Sequence, residues 1–291
     1  MMDRRQLLGG GVAAGLSIAV PNWLQAAFAP LTANDVQKRF FKAETIPEVA
    51  RIDYLKTENA KRLMVVFRQI HLPPKEIVPS ANDIWLAEQS QLEIYRAMDN
   101  LLDRNAPGFN HVMCEEYANG PALDFLNEWR QEYHNRLRAL TPPRPVRRGG
   151  GFMPPGPMGN FTPLENRLDR RLGGVSTLGF VGAGKVMGFS RGIEILPAAD
   201  LALEKQVDKE IACKDPRVYD YWVFNKREEM ALQLAAQSKR LISYVIYGCN
   251  HKWELSIPKW NWEHKDDRFS AIIVTTNIVK KWEDWQEEMR K

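Results

Sequence analysis

Apolar residues along this 291-residue chain fall into two kinds of run. Short unbroken stretches rich in β-branched and aromatic residues occur at Arg62 to Ile70, Ile242 to Tyr247 and Arg268 to Thr276. That composition predicts strands buried on both faces. Asn110 to Cys114 is a shorter strand candidate, and Val175 to Val181 and Ile193 to Leu196 are further short apolar runs. Between them the period lengthens to that of a helix. Leu92, Tyr95, Met98 and Leu102 form a stripe on a helix predicted over Ser80 to Arg104, opened by a capping pair of Ser80 and Asp83. Leu126, Trp129, Tyr133, Leu137 and Leu140 do the same over Pro121 to Leu140. Ala198 to Ile211 and Tyr219 to Ser238 predict two more helices, and Ile278 to Lys291 an exposed amphipathic one. Residues 30–60 are mixed and polar, with an amphipathic piece at Val36 to Phe41 that predicts a helix or arm packed on the domain. Strands alternating with helices predict an α/β fold, with a largely parallel central sheet flanked by helices.

Two segments stand apart from this alternation. Thr141 to Pro163 is dominated by proline and glycine, with Arg144, Arg147 and Arg148 among them. Such a run builds no core and predicts a flexible Pro/Gly-rich insertion at 141–163 inside one domain, because a major strand follows it. The N-terminus reads Met-Met-Asp-Arg4-Arg5-Gln-Leu-Leu before a glycine-rich apolar stretch, with small residues at Ala26 to Ala29. This matches a bacterial twin-arginine export signal over residues 1–29. Pro30 hinders cutting after Ala29, which favours Ala26 or a near neighbour. The expected organisation is therefore a signal peptide at 1–29 and a single α/β domain at 30–291, exported to the periplasm or beyond. Contact with the export machinery is transient. The apolar stretch is too short to span a bilayer, so no stable membrane span is expected after cleavage. That export route carries folded proteins and suits one that acquires a metal or cofactor first.

Charge and cysteine content narrow the partners. The net charge is +4, and removing Asp3, Arg4 and Arg5 with the signal takes away +1 and leaves +3. A balance this small does not point to nucleic acid, and the basic stretch Arg144 to Gly151 reads as a solvated loop. Cys114, Cys213 and Cys249 are odd in number and lack CxxC spacing, so no disulfide framework is expected. Cys114 and Cys249 fall at strand ends and read as buried free thiols.

Chemistry-bearing residues gather at the same strand ends. The first strong strand runs to His71, and the strand at Ile242 to Tyr247 breaks at Gly248 and delivers His251. In a parallel sheet the carboxyl ends of strands are where ligands bind. A third strand ends at Glu115-Glu116, whose side chains point to opposite faces, so at most one serves a shared site. Arg227 lies on a helical stripe with Val223, Met230 and Leu234. A cation on an apolar stripe needs a partner, either a structural carboxylate or an anionic ligand group. Two neutral imidazoles and a carboxylate suit zinc, manganese, cobalt or haem iron. His111, His134 and His264 have weaker contexts. Gly179-Phe-Val-Gly-Ala-Gly-Lys-Val186 approaches a phosphate-binding loop but lacks the Ser or Thr that holds magnesium. Gly188, Arg191 and Gly192 are expected to interrupt any following helix, which leaves close packing of small residues as the reading.

These landmarks carry a family resemblance. Gly248-Cys-Asn-His251 resembles the C-terminal GxxH of the superfamily that joins Tiki proteases, TraB proteins, ChaN-type haem-binding lipoproteins and erythromycin esterases. Phe224-Asn225-Lys-Arg227-Glu-Glu-Met230-Ala231 is similar to its arginine-containing motif. Arg68-Gln-Ile-His71 occupies the place of the first GxxH, and Met113-Cys-Glu115-Glu116 that of a strand-end glutamate. The landmarks run in family order from about Arg62 to Thr276. In Tiki-like members the resemblance implies a divalent metal on the two histidines, in ChaN-like members haem, and in esterase members a histidine acting as acid and base. The expectation is an exported metal-assisted hydrolase of a small-molecule or peptide substrate, with a divalent metal cofactor. His71 and His251 would be metal ligands or acid–base groups, and Glu115 a ligand or general base. Arg227, steered by Asn225, would hold an anionic group or oxyanion. The alternative is a non-enzymatic haem- or iron-binding protein using the same pocket. One position departs from the pattern: Arg68 stands where the family carries glycine, and either narrows the site or supplies a new contact.

Overall fold

The computed structural model describes residues 33–71, 81–115, 182–199, 201–211 and 216–290. The export signal, the helix expected at Pro121 to Leu140, the 141–163 insertion and the run at Val175 to Val181 lie outside these residues, as do Glu116, His134 and Cys213. In chain order the elements are α1 (Ala33–Phe40), β1 (Val49–Leu55), β2 (Arg62–Gln69), α2 (Ala81–Asp103), β3 (His111–Cys114), α3 (Ala183–Arg191) and β4 (Glu194–Pro197). Then come α4 (Leu201–Ile211) and α5 (Pro216–Tyr219), which runs through a π-helical stretch (Asp220–Lys226) into α6 (Arg227–Gln237). The chain closes with β5 (Ile242–Gly248), α7 (Trp253–Glu263), β6 (Phe269–Thr276) and α8 (Asn277–Met289).

The six strands form one sheet in the order β1-β6-β2-β5-β3-β4. Every neighbouring pair is parallel except β1 with β6. The fold is thus α/β with a largely parallel, mixed sheet. Alternation along each strand sends successive side chains to opposite layers. Leu63, Val65, Phe67, Tyr244, Ile246, Ile272 and Val274 join a core with α1, α2 and α3. Met64, Val66, Val245, Tyr247, Ala271 and Ile273 join a second core with α6 and α7. Both faces are covered, which is why the central strands read as unbroken apolar runs. Each fully buried Phe, Ile or Leu in them stabilises the fold by roughly 1.5–3 kcal/mol.

Two local expectations are corrected. Residues 49–55 are not arm but strand: Val-Ala-Arg-Ile-Asp-Tyr-Leu is the antiparallel edge on β6, and its half-exposed faces admit Arg51 and Asp53. Helix α3 runs through Gly188 to Arg191 rather than being interrupted there. Its glycines permit close approach, since a Cβ on Gly184 would lie 2.4 Å from Cys114 Sγ and one on Gly188 2.5 Å from the Ile195 side chain. Close packing of small residues is thus what this segment does. Residues 253–263 form α7, which buries Trp253, Ile257 and Trp260, and His264 caps its end. The strands ending at His71 and His251 stand where the apolar runs put them, and Cys114 and Cys249 are buried free thiols.

Candidate active site

Strands β2, β5 and β3 are consecutive in the sheet. Gln69 pairs with Gly248, and Cys114 with Ile246. Residues just past the three carboxyl ends are therefore neighbours across the sheet edge. His71 follows β2, Glu115 follows β3, and Gly248 closes β5 between them. His71 Nε2 lies 2.8 Å from Glu115 Oε2. The Gly248 backbone N–H donates to the same oxygen at 2.7 Å. Gly248 owes its identity to this geometry: a Cβ there would lie 2.7 Å from His71 Nε2 and 2.9 Å from its Cδ2. The glycine of Gly248-Cys-Asn-His251 makes room for the histidine of Arg68-Gln-Ile-His71.

Glu115 is the hub. Its Oε1 faces His251 Nε2 at 3.2 Å and accepts from the Arg227 guanidinium at 3.2 Å. Its side chain is 3% exposed. Burial alone would raise its carboxyl, but the His71 and His251 imidazoles outweigh burial and hold it well below the usual range. Conversely, burial would lower His251, yet Glu115 and then Glu228 raise it, so that the ring keeps its proton more firmly than an ordinary histidine. His251 is nearly sealed from solvent, whereas the His71 side chain is 30% exposed. Of the two imidazoles, His71 is the one open to solvent.

Glu228 is the site residue that the sequence pattern did not single out. Its Oε1 faces His251 Nδ1 at 3.0 Å and accepts from the Lys252 N–H at 2.8 Å. Its second oxygen accepts from the Ser256 hydroxyl. The signal was present: Glu228 shares its helical face with the buried Ala231, Leu232 and Ala235, and a carboxylate on such a stripe must have partners. Tyr247, Phe224 and Trp253 close around the His251 ring, the first two edge-on at 4.4 and 5.2 Å between centroids. The Tyr247 hydroxyl donates to the Arg227 carbonyl at 3.0 Å and fixes the start of α6. The π-helical turn before Arg227 shifts the phase of the helix at this point, a feature frequent at functional sites.

The residues named from sequence thus divide. His71, Glu115, Arg227 and His251 converge on one site. Asn225 is exposed, and no hydrogen bond joins it to these four among the described residues. Arg68 turns away from the cluster. It donates to Glu283 of α8 and to the Cys249 carbonyl, with Thr275 Oγ1 at 3.5 Å. It supplies a new contact and does not narrow the site. His111 begins β3, and burial with Arg240 nearby lowers it to about 4.

The donor types suit a metal, but their arrangement does not. Glu115 already accepts from His71, Gly248 N–H, His251 and Arg227, and an ion there would sit beside a guanidinium. Among the described residues no group of three His, Cys, Asp or Glu side chains is disposed to hold a metal. Both His251 nitrogens face carboxylates, and His71 Nε2 faces Glu115.

Fold and site together define an α/β protein with a hydrogen-bonded Glu–His–Glu–His chain, flanked by an arginine, at the carboxyl edge of a parallel sheet. Compared with protein families, curated proteins and solved structures, the chain matches none. No described helix is long and apolar enough to cross a membrane.

Proposed function

We propose that the chain is a hydrolase related to the Tiki, TraB, ChaN and erythromycin esterase superfamily, working by acid–base chemistry on His71 and Glu115. The supporting observation is the convergence of His71, Glu115, Arg227 and His251 across three neighbouring strand ends. Glu115, held ionised, accepts the Nε2 proton of His71 and thereby fixes one tautomer. The Nδ1 lone pair of the neutral ring then takes a proton from water or a substrate hydroxyl as the bond to carbon forms, and later returns it to the leaving group. His251, locked by Glu228 and keeping its proton, holds the Glu115 carboxylate in place from the buried side. Arg227, 21% exposed, offers its guanidinium to the oxyanion that develops on the attacked carbonyl. The substrate class is an uncharged or anionic acyl compound, ester, lactone or peptide. Export by the twin-arginine route would place this activity in the periplasm or outside the cell.

The test is turnover of a panel of esters, lactones and peptides by the purified full chain after dialysis against a chelator. Hydrolysis that survives chelation is expected. Absence of turnover across the panel, or turnover appearing only when a divalent ion is added back, overturns the reading; the second result restores the metal-assisted alternative.

A further inference from the structure

Two buried glutamines stand directly behind His71. Gln69 is the last residue of β2 and Gln91 lies on α2, and both are less than a tenth exposed. Buried side-chain amides are costly unless every donor and acceptor is used. Here the order of donors is forced. The Ala183 backbone N–H, at the start of α3, can only donate, and it reaches Gln91 Oε1 at 2.8 Å. Gln91 Nε2 must then face outward, and it donates to Gln69 Oε1 at 2.6 Å. That leaves Gln69 Nε2 directed at His71, 3.5 Å from Nδ1 and 3.4 Å from Nε2.

Near-equal distances to both ring nitrogens place the amide over the face of the imidazole, because an approach in the plane between them runs into Cε1. An N–H above an aromatic face is a weak attraction with a defined direction. The ring is then bounded by the Gln69 amide, by Glu115 at Nε2 and by the bare Cα of Gly248 along the Nε2–Cδ2 edge. A backbone amide of α3 is thereby coupled to the orientation of His71.

We propose that Gln91 and Gln69 are positioning residues for His71. They form a buried amide relay, started by the first backbone N–H of α3, that sets the plane of the imidazole facing Glu115. This rests on His71 being the proton-accepting group. Its consequence is that α3, whose sequence approaches a phosphate loop, serves as an anchor for an acid–base residue.

Nuclear magnetic resonance of the full chain tests it without turnover, so it can fail while the hydrolase reading stands, or the reverse. In wild-type protein a Gln69 side-chain amide proton is expected upfield of the other glutamine amides, shifted by the ring current, and His71→Ala should abolish that displacement. The His71 ring nitrogens should report a single tautomer with the proton on Nε2. Gln91→Glu keeps the acceptor for Ala183 but cannot donate to Gln69 once ionised, and Gln91→Leu removes both functions. Either variant, if folded by circular dichroism, should move the His71 ring-proton and ring-nitrogen shifts away from their wild-type values, because the ring plane is no longer set from behind, while Glu115 still holds the proton on Nε2. Ordinary Gln69 amide shifts in the wild type, or an unchanged His71 spectrum in a folded variant, overturn the relay. The wild-type arm decides the matter if both variants unfold.

Discussion

Gly248 shows how much a single residue decides at this site. It closes β5 between two strands that deliver a histidine and a glutamate, and both side chains pass over it. Its N–H fixes one Glu115 oxygen and its missing side chain admits His71. Gly248→Ala is expected to displace the His71 ring and to cost about 1–3 kcal/mol, the usual penalty for overfilling a packed position. Urea denaturation measures the cost, and the His71 nitrogen shifts measure the displacement. At this scale the sequence was informative wherever a residue broke the pattern around it. Histidines at the ends of apolar runs and an arginine on an apolar stripe were visible for that reason. Glu228 was hidden because two of its three buried neighbours on that face are alanines, and Gln69 because an uncharged amide inside a strand looks unremarkable. Asn225 looked like a partner for Arg227 by adjacency alone, but residues two apart on a helix face different directions.

At the scale of elements, α8 owes its seat to a residue from the opposite end of the chain. Arg68 reaches past the end of β2 to Glu283 on α8 and to the Cys249 carbonyl in the loop that carries His251. Arg51 of β1 adds a second contact to Glu283 at 3.5 Å. Arg68 therefore ties the last helix to the loop that carries His251. Arg68→Ala is expected to lower stability by about 1–3 kcal/mol, the range for a lost charge-assisted hydrogen bond. Amide exchange should quicken in α8 and at residues 249–252 while α2 is unaffected; uniform exchange across the protein would argue against this local role. Strongly apolar elements were legible in the sequence because two covered faces leave few polar positions. Edge strand β1 was not, since its charged residues belong to a half-exposed face that a purely apolar criterion rejects. Helix α3 was missed for the opposite reason: its glycines signal a break in an isolated helix, and only the adjacent sheet shows that they serve contact.

Across the whole molecule, three buried groups set the response to pH. His111 holds off protonation to about 4 in the fold, whereas the unfolded chain takes up that proton near 6.5. The unfolded state binds more protons between these values, so stability falls as pH drops through that window. Glu115 adds to the loss below about 4.5, since its folded carboxyl is depressed. His251 acts on the alkaline side. Its raised affinity contributes fully below 6.5 and is lost as pH rises through the folded value. Urea midpoints should therefore peak near pH 6.5, and His111→Gln should flatten the acidic arm while leaving the alkaline one. A midpoint that stays constant from strong acid to neutrality would contradict the assignment.

The claim that His71 is the proton-accepting group of a metal-independent hydrolase meets its most direct test in one comparison. For the best substrate of the panel, kcat/KM of chelator-dialysed wild type is measured against pH beside that of His71→Ala. The wild-type value should rise with pH along a limb that the variant lacks, and the variant should be slower by about 10²–10⁴-fold, the contribution of a positioned general base. A variant that keeps the wild-type rate and pH profile would contradict the account.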